Sequence, residues 1–134
     1  MYTLDASVFT RTIDPTQPDH ADCLALLDRL HPDMTPIIVP TLVLVEVAGA
    51  VSRARRDSIR ARVVAAMLRA LPHVTFVALA ADYRLRGADA VYVAVARQFT
   101  TTLVTLDDEQ RTRATPIVTT RSPAQALADL TPPP

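Results

Sequence analysis

Glu46 is a carboxylate in an apolar segment, where an unpaired charge is unfavourable. It sits in the run Leu-Val-Leu-Val-Glu-Val-Ala-Gly-Ala, and its neighbours one helical turn away are all apolar or small. Burying a carboxylate without a partner costs several kcal/mol, so buried charges normally form an ion pair or bind a metal. No arginine lies within one turn of Glu46. Either a distant arginine or a metal ion must therefore balance its charge.

Asp89 lies in a similar setting, within the segment Gly-Ala-Asp-Ala-Val-Tyr-Val-Ala-Val-Ala. This segment is apolar nearly all round at helical spacing, which predicts a buried central helix with Asp89 in its first turn. A ligand role is one interpretation of this position. The other is that Asp89 caps the helix or interacts favourably with its dipole.

Asp5 and Asp107 each follow a short apolar segment that predicts a strand. In an open parallel sheet, ligands bind beyond the carboxyl ends of the strands, where the strand order reverses. Helix capping would explain either aspartate alone. Together with Glu46 and Asp89, however, they can converge on one acidic pocket, where a cation would relieve their repulsion. An all-oxygen donor set suits Mg²⁺ or Mn²⁺, ions that usually serve phosphate chemistry.

The elements that must position these residues alternate between short strands and helices. This alternation predicts an α/β fold with a central parallel sheet in the order 3-2-1-4-5 and helices on both faces. We expect one domain over residues 1–131 and a proline-rich tail over 132–134. The predicted strands are 1–5, 37–39, 74–79, 102–106 and 116–119, and the predicted helices are 6–12, 19–31, 40–53, 58–71, 82–99, 108–113 and 122–130.

Two helices show apolar stripes that should face the core. Asp57 and Ser58 are suited to cap the second of these helices. The first stripe consists of Cys23, Leu24, Leu27 and Leu30, and the second of Ile59, Val63, Val64, Met67, Leu68 and Leu71.

Composition excludes several classes of chemistry. All 14 basic residues are arginine, so mechanisms that need a lysine, including Schiff-base catalysis and Walker-type phosphate binding, are excluded. Two glycines are too few for a glycine-rich nucleotide loop, and one cysteine excludes a disulfide framework. The formal net charge is zero, so any nucleic-acid binding must come from a local arginine patch. No apolar run approaches the ~20 residues of a membrane span, and we expect a cytoplasmic protein.

Four segments, taken in order, resemble the motifs of PIN-domain ribonucleases, and in particular of VapC-type toxins from bacterial toxin–antitoxin pairs. The resemblance covers residue 2 to about residue 130. The four segments are Leu-Asp-Ala-Ser around Asp5, Leu-Val-Glu-Val-Ala-Gly-Ala around Glu46, Arg-Gly-Ala-Asp-Ala-Val-Tyr-Val-Ala around Asp89, and Leu-Val-Thr-Leu-Asp ending at Asp107.

The resemblance implies a PIN-like three-layer α/β/α sandwich and a Mg²⁺- or Mn²⁺-dependent endoribonuclease. It implies an RNA substrate, a homodimer and inhibition by a cognate antitoxin. The core metal ligands would be Asp5, Glu46 and Asp89, with Asp107 completing the pocket. Supporting residues would be Ser7 and Thr105 as hydroxyls and Asp108 as a substitute or assistant for Asp107.

Arginines near the predicted site are candidates for contacts with RNA phosphates. An ordinary solvated helix face explains them equally simply. The arginine candidates are Arg53, Arg55, Arg56, Arg84 and Arg86.

The connection over residues 80–86 is shorter than the resemblance leads us to expect. The alternative function is a PIN-like module that binds RNA or protein with little or no catalysis.

Overall fold

A five-stranded, all-parallel sheet in the order β3-β2-β1-β4-β5 forms the centre of the fold, as the sequence predicted. The computed structural model describes residues 1–78 and 87–131. The strands are β1 (Tyr2–Leu4), β2 (Ile37–Pro40), β3 (Val74–Val77), β4 (Thr102–Val104) and β5 (Thr120–Arg121), and the helices are α1 (Ala6–Arg11), α2 (His20–Leu30), α3 (Leu42–Arg55), α4 (Ser58–Arg69), α5 (Ala88–Phe99), α6 (Asp108–Ala114) and α7 (Pro123–Leu130).

The reversal of strand order lies between β1 and β4. The central strand β1 pairs with β2 on one side and with β4 on the other, so that Tyr2 is opposite both Ile37 and Thr102. The loops that follow β1 and β4 therefore leave the same edge of the sheet side by side. The backbone N–H of Asp5 donates to the carbonyl of Val104 at 2.9 Å, which joins the ends of the two strands.

The strands beside this reversal are the most deeply buried part of the chain. Leu4, Leu103 and Val104 are inaccessible to solvent, as are Tyr92 and Val95 of α5, which packs across β1, β2 and β4. Burial of an aliphatic side chain of this size contributes about 1.5–3 kcal/mol. The strand ends that carry the acidic residues are therefore anchored in the rigid core.

The predicted fifth strand, residues 116–119, is wrong by several residues. The strand is Thr120–Arg121, and the amides of Ile117 and Val118 instead donate to the carbonyl of Ala114 in a turn that follows α6. β5 then pairs in parallel with β4, with Thr120 opposite Leu103. Hydrophobic composition at 116–119 suggested a strand, but local hydrogen bonds to the helix end determine the conformation there.

Helix α3 begins two residues later than predicted. Pro40 lies in β2, where it pairs with Val77, and the helix starts at Leu42.

In α2, the predicted stripe member Leu24 is exposed, whereas Leu26 is fully buried. Leu26 lies three residues after Cys23, so it shares the buried face that a 3.6-residue period defines.

The predicted core stripe of α4 is only partly buried. Leu68 is buried and Val64 is partly buried, but Ile59, Val63 and Met67 are 75%, 52% and 66% exposed. Helix α4 packs mainly against α3, and a single neighbouring helix covers only one side of a wide apolar stripe. The sequence correctly predicted an apolar surface on α4, but it did not show that half of this surface faces solvent.

Several predictions fall outside the described residues. They are the end of the third strand at Leu79, the helical segment 82–86, the short connection 80–86, the two arginines at positions 84 and 86, and the tail 132–134. Within the described parts of the chain, none of the helices has the length and apolar character to cross a membrane.

The N-terminal cap of α4 allows a stability prediction. The carboxylate of Asp57 accepts hydrogen bonds from the amides of Ile59 and Arg60, both at 2.9 Å, as its sequence position predicted. We expect Asp57→Ala to lower the free energy of unfolding by about 1 kcal/mol in a urea titration. Asp57→Asn retains an acceptor and should stay within a few tenths of a kcal/mol of wild type. Equal losses in both variants would contradict the capping role.

A buried histidine, His73, which contacts the exposed His31, makes stability depend on pH. The His31 and His73 rings meet edge to face with centroids 5.1 Å apart, and His73 is buried. Burial, followed by the charge of His31, lowers the pKa of His73 below its usual value of 6.5. The unfolded chain then binds more protons than the native state just below that value. The stabilisation is therefore complete above the unfolded pKa and is lost as the pH falls through the folded pKa.

This dependence can be isolated with the variant His73→Leu, which fills the same space without a titratable group. Unfolding free energies measured by urea titration between about pH 7.5 and pH 5 should decline more steeply for wild type than for the variant. Parallel pH profiles of the two proteins would show that His73 does not titrate differently on unfolding.

Candidate active site

Asp5 is held by two hydroxyl groups at the carboxyl end of β1. One of its oxygens, Oδ2, accepts hydrogen bonds from Ser7 Oγ at 2.6 Å and from Thr105 Oγ1 at 3.0 Å. Although Asp5 occupies the N-cap position of α1, its side chain makes no capping hydrogen bond. The structure thus brings together Asp5, Ser7 and Thr105, which the sequence grouped, and does not support capping as the role of this side chain.

The same two hydroxyls join the loops that follow β1 and β4. Ser7 Oγ accepts from the amide of Leu106 at 3.3 Å, and Thr105 Oγ1 accepts from the amide of Asp107 at 3.1 Å. Each hydroxyl therefore donates to Asp5 and accepts from the neighbouring loop. This arrangement fixes the direction of both hydroxyl protons and so presents Asp5 in one orientation.

Glu46 projects from α3 towards this pair and is half-buried. The hydroxyl of Tyr92, a fully buried residue of α5, donates to Glu46 Oε2. No arginine among the described residues forms an ion pair with Glu46. Burial raises the pKa of Glu46, and the charges of Asp5 and Asp89 raise it further, against the opposing effect of the Tyr92 hydrogen bond. The pKa of Tyr92 is itself raised, mainly by burial, so its hydroxyl remains a donor.

Asp89 occupies the second position of α5 and is exposed, which corrects the prediction of a carboxylate inside a buried helix. The buried residues of α5 are Tyr92, Ala94, Val95 and Ala96, whereas Asp89 lies in the first turn, which emerges at the open edge of the sheet. Gly87, not Asp89, is the N-cap residue. Partial desolvation raises the pKa of Asp89, and the nearby charges of Asp107 and Asp5 raise it further. Asp89 is therefore electrostatically part of the acidic cluster.

Asp107 follows the buried Thr105 and caps α6. Its Oδ1 accepts from the amide of Gln110 at 2.9 Å, as the capping interpretation predicted. The side-chain amide of Gln110 in turn donates to the carbonyl of Asp89 at 3.3 Å, which links the beginnings of α5 and α6. Asp108 is exposed, and its carboxylate pairs with Arg111 instead of turning to the cluster.

The donor set of the cluster fits a hard divalent cation. Burial raises the pKa values of Glu46 and Asp89, and the charges of neighbouring carboxylates raise them further, so positive charge beside these two side chains is favourable. In residues 1–78 and 87–131, no three acidic, histidine or cysteine side chains are close enough to enclose a metal ion by themselves. Mg²⁺ does not require such a cage, because it keeps several waters and uses one or two carboxylates together with substrate phosphate.

The sequence reasoning missed two residues of this site, Tyr92 and Gln110. Tyr92 lies three residues after Asp89, one turn further along α5, and carries the only hydroxyl in an otherwise apolar segment. Gln110 lies three residues after Asp107, at the position whose amide an N-cap side chain reaches. Both signals were present in the sequence, but only the tertiary structure shows that Tyr92 donates to the Glu46 carboxylate and that the Gln110 side chain donates to the backbone carbonyl of Asp89.

Comparison with known proteins identifies a family and a fold. The family described as PIN domain matches residues 2–115. VapC20 of Mycobacterium tuberculosis, described as a sarcin-ricin loop cleaving toxin, is 20% identical, with a TM-score of 0.69 over 84% of this chain and 95% of that chain. VapBC2 of Rickettsia felis, bound to a DNA fragment from its promoter, is 15% identical, with a TM-score of 0.65 over 90% and 97%.

A third similar structure is FitAB bound to a DNA fragment, at 17% identity and a TM-score of 0.63 over 92% of this chain and 96% of that one. The search of curated protein sequences gave no match. At these identities the structural similarities concern the fold alone, whereas the family match covers most of the chain.

The repulsion within the cluster predicts that a neutral substitution stabilises the metal-free protein. Glu46→Gln removes one charge and keeps an oxygen that can accept from Tyr92. In EDTA at neutral pH we expect its melting temperature to exceed that of wild type by about 2–4 °C. Added Mg²⁺ should stabilise wild type more than the variant, since ligand binding stabilises the native state.

Asp28→Asn is the matched control, because Asp28 is an exposed carboxylate on α2 outside the cluster. It should melt within about 1 °C of wild type, as surface substitutions usually do. A Glu46→Gln protein that is less stable than wild type in EDTA would contradict the repulsive character of the site.

Proposed function

Because the chain belongs to the PIN domain family, we propose that it is a metal-dependent endoribonuclease and the toxin of a toxin–antitoxin pair. The observation that carries this proposal is the electrostatic coupling of four carboxylates at the edge where β1 and β4 end. The description of VapC20 as a sarcin-ricin loop cleaving toxin supports the same activity class. We further propose that residues 1–131 form a single PIN domain.

In the proposed mechanism, Asp5, Glu46, Asp89 and Asp107 hold Mg²⁺ or Mn²⁺. When bound, such an ion polarises the scissile phosphate and lowers the pKa of a coordinated water. Ser7 and Thr105 keep Asp5 in one orientation, and Tyr92 does the same for Glu46. These hydrogen bonds reduce the side-chain freedom that would otherwise be lost in the reaction.

Proton transfer falls to a carboxylate in this mechanism. Asp89 is exposed, so it is accessible to the attacking water and is the carboxylate that we propose to accept its proton. Attack of water on phosphorus with departure of the 3′-oxygen forms a new P–O bond, breaks the P–O3′ bond and leaves a 5′-phosphate and a 3′-hydroxyl. The proposed role of Asp108, as an assistant to Asp107, would require its pair with Arg111 to open.

Arginines at the end of α3 are proposed to bind RNA phosphates. Arg53, Arg55 and Arg56 are all exposed. Gly49 lies between Glu46 and Arg53 on the same face of α3, and a Cβ at Gly49 would lie 3.2 Å from the guanidinium of Arg53. Arg53 thus extends back along the helix towards the acidic cluster. The remaining RNA-binding candidates, at positions 84 and 86, stay predictions from the sequence.

A protein partner is also part of the proposal. The similar VapBC2 and FitAB structures support a cognate antitoxin, and a homodimer remains the proposed assembly. The exposed apolar side chains of α4, Ile59, Val63 and Met67, offer surface for either contact. We also propose that the protein acts in the cytoplasm.

The function is tested by cleavage of a structured RNA with Mg²⁺ or Mn²⁺, with EDTA, and with the variant Asp89→Asn. Cleavage by wild type should require metal, and the variant should be at least about 100-fold slower because it loses a ligand and a proton acceptor. Asp28→Asn, purified identically, should cleave at the wild-type rate.

Equal activity of wild type and Asp89→Asn would show that the cleavage comes from a contaminating nuclease. A folded wild-type protein that binds Mn²⁺ and RNA but cleaves none of many RNAs would favour the alternative, a binding module without catalysis.

A further inference from the structure

A groove of about 400 Å³ opens between α5 and α6, directly beside two of the acidic residues. Its walls are the facing stripes of the two helices, with residues at intervals of three and four along each. Ala90, Val93 and Ala94 contribute the α5 side, and Gln110 and Ala114 contribute to the α6 side. Small side chains therefore leave a flat, largely apolar floor between the helices.

The charges along this groove change sign from one end to the other. Asp89 and Asp107 stand at the end next to the proposed catalytic site, and Arg97 and Arg113 lie further along. At 1.5 Å per residue, Arg97 is about 12 Å along α5 from Asp89. Arg113 pairs with Glu109 at 2.5 Å, whereas Arg97 is exposed and forms no ion pair with any other described residue. Arg97 is therefore available to a ligand.

One polar group in the groove wall lacks a partner. Gln110 is 5% exposed, and its Oε1 accepts no hydrogen bond from the described residues, although its Nε2 donates to the carbonyl of Asp89. A buried acceptor without a donor is unfavourable and is usually satisfied by water or a ligand. Because Gln110 lines the groove, a ligand on the groove floor is one source of the missing donor.

We infer that this groove holds an unpaired nucleotide next to the cleavage site, with its base on the apolar floor and a phosphate at Arg97. The inference rests on the proposed nuclease function and specifies its substrate as RNA with an unpaired segment. An acceptor at Gln110 favours bases with an exocyclic amino group, so cytosine is preferred over uracil. The groove thereby contributes to the choice of cleavage site.

RNA explains the observations better than a peptide does. The groove is continuous with carboxylates that are proposed to act on a phosphodiester, so a strand bound there passes the reacting centre. Its apolar floor matches the face of a base, and its unpaired arginine lies at a distance that a few nucleotides span. No aromatic side chain is needed, because stacking on apolar and aliphatic surface also removes the base from water.

The inference is tested by binding and not by cleavage. The full chain carrying Asp5→Asn, a residue outside the groove, serves as the background in Mg²⁺. Fluorescence anisotropy then gives the Kd for single-stranded oligo(C) and oligo(U) of about ten nucleotides. Oligo(C) should bind about fivefold more tightly than oligo(U), and Gln110→Leu should abolish this difference. If Gln110 has a purely structural role, Gln110→Leu will instead weaken the binding of both RNAs by the same factor.

Two further variants separate the base contact from the phosphate contact. Arg97→Ala should lower the slope of log Kd against log salt concentration by about 0.7, the value for one phosphate contact on a single strand. Ala90→Leu fills the floor and should weaken binding about tenfold without changing that slope. The controls are Arg69→Ala and Ala66→Leu, which make the same changes at exposed positions of α4 and should have neither effect.

The possible failures are distinguishable. RNA binding could be tight and yet unaffected by the three groove variants, Gln110→Leu, Arg97→Ala and Ala90→Leu. This result would overturn the nucleotide groove and leave the nuclease proposal intact. A protein segment would then be the better candidate for the groove. No binding of either RNA by the folded protein would overturn the groove, whereas the proposed nuclease function would be overturned only if structured RNA is also left uncleaved.

Discussion

The mutual repulsion of four carboxylates at one edge of the sheet is the constraint on which the rest of this structure depends. Parallel strands β1 and β4 end side by side, which places Asp5 and Asp107 in adjacent loops, while α3 and α5 bring Glu46 and Asp89 to the same edge. Close like charges disfavour the ionised forms, and the raised pKa values of Glu46 and Asp89 express that cost. A binding or catalytic site is the usual place for such an arrangement.

The fold resists this repulsion in two ways. Leu4, Leu103 and Val104 anchor the strand ends in a solvent-free core, so the loops cannot move apart without loss of burial. Hydroxyl groups then fix the individual carboxylates, with Thr105 acting on Asp5 and Tyr92 acting on Glu46. Burial of these core side chains therefore holds the carboxylates in an arrangement that is electrostatically unfavourable without a cation. Such a trade-off between stability and function is common in enzymes.

The sequence predicted the architecture well because its signals were strong and local. Short apolar strands alternating with helices predicted the parallel sheet, and the capping residue Asp57 marked a helix start that the structure confirms. The four carboxylates could be singled out because they stood in apolar surroundings or directly after strands. The placement of Asp5 and Asp107 in adjacent loops could be predicted from the switch-point rule, since that rule depends only on topology.

The sequence could not predict which faces of the helices are buried or which side chains contact one another. Asp89 was expected inside a buried helix, but the first turn of α5 emerges at the open edge of the sheet. The stripe containing Val63 was expected in the core, but α3 covers only part of it. The contact of Tyr92 with Glu46 joins residues 46 positions apart, and no local periodicity specifies such a pair. These features depend on tertiary packing, which a pattern along the chain does not contain.

The proposed role of the acidic cluster is to bind a divalent cation. Calorimetric titration of Mn²⁺ into the purified, metal-free protein tests it most directly, with Asp5→Asn as the site variant and Asp28→Asn as the control. We expect saturable Mn²⁺ binding by wild type and the control, and affinity at least about tenfold weaker in Asp5→Asn. Equal affinity in all three proteins, or no binding by folded wild type, would contradict the claim.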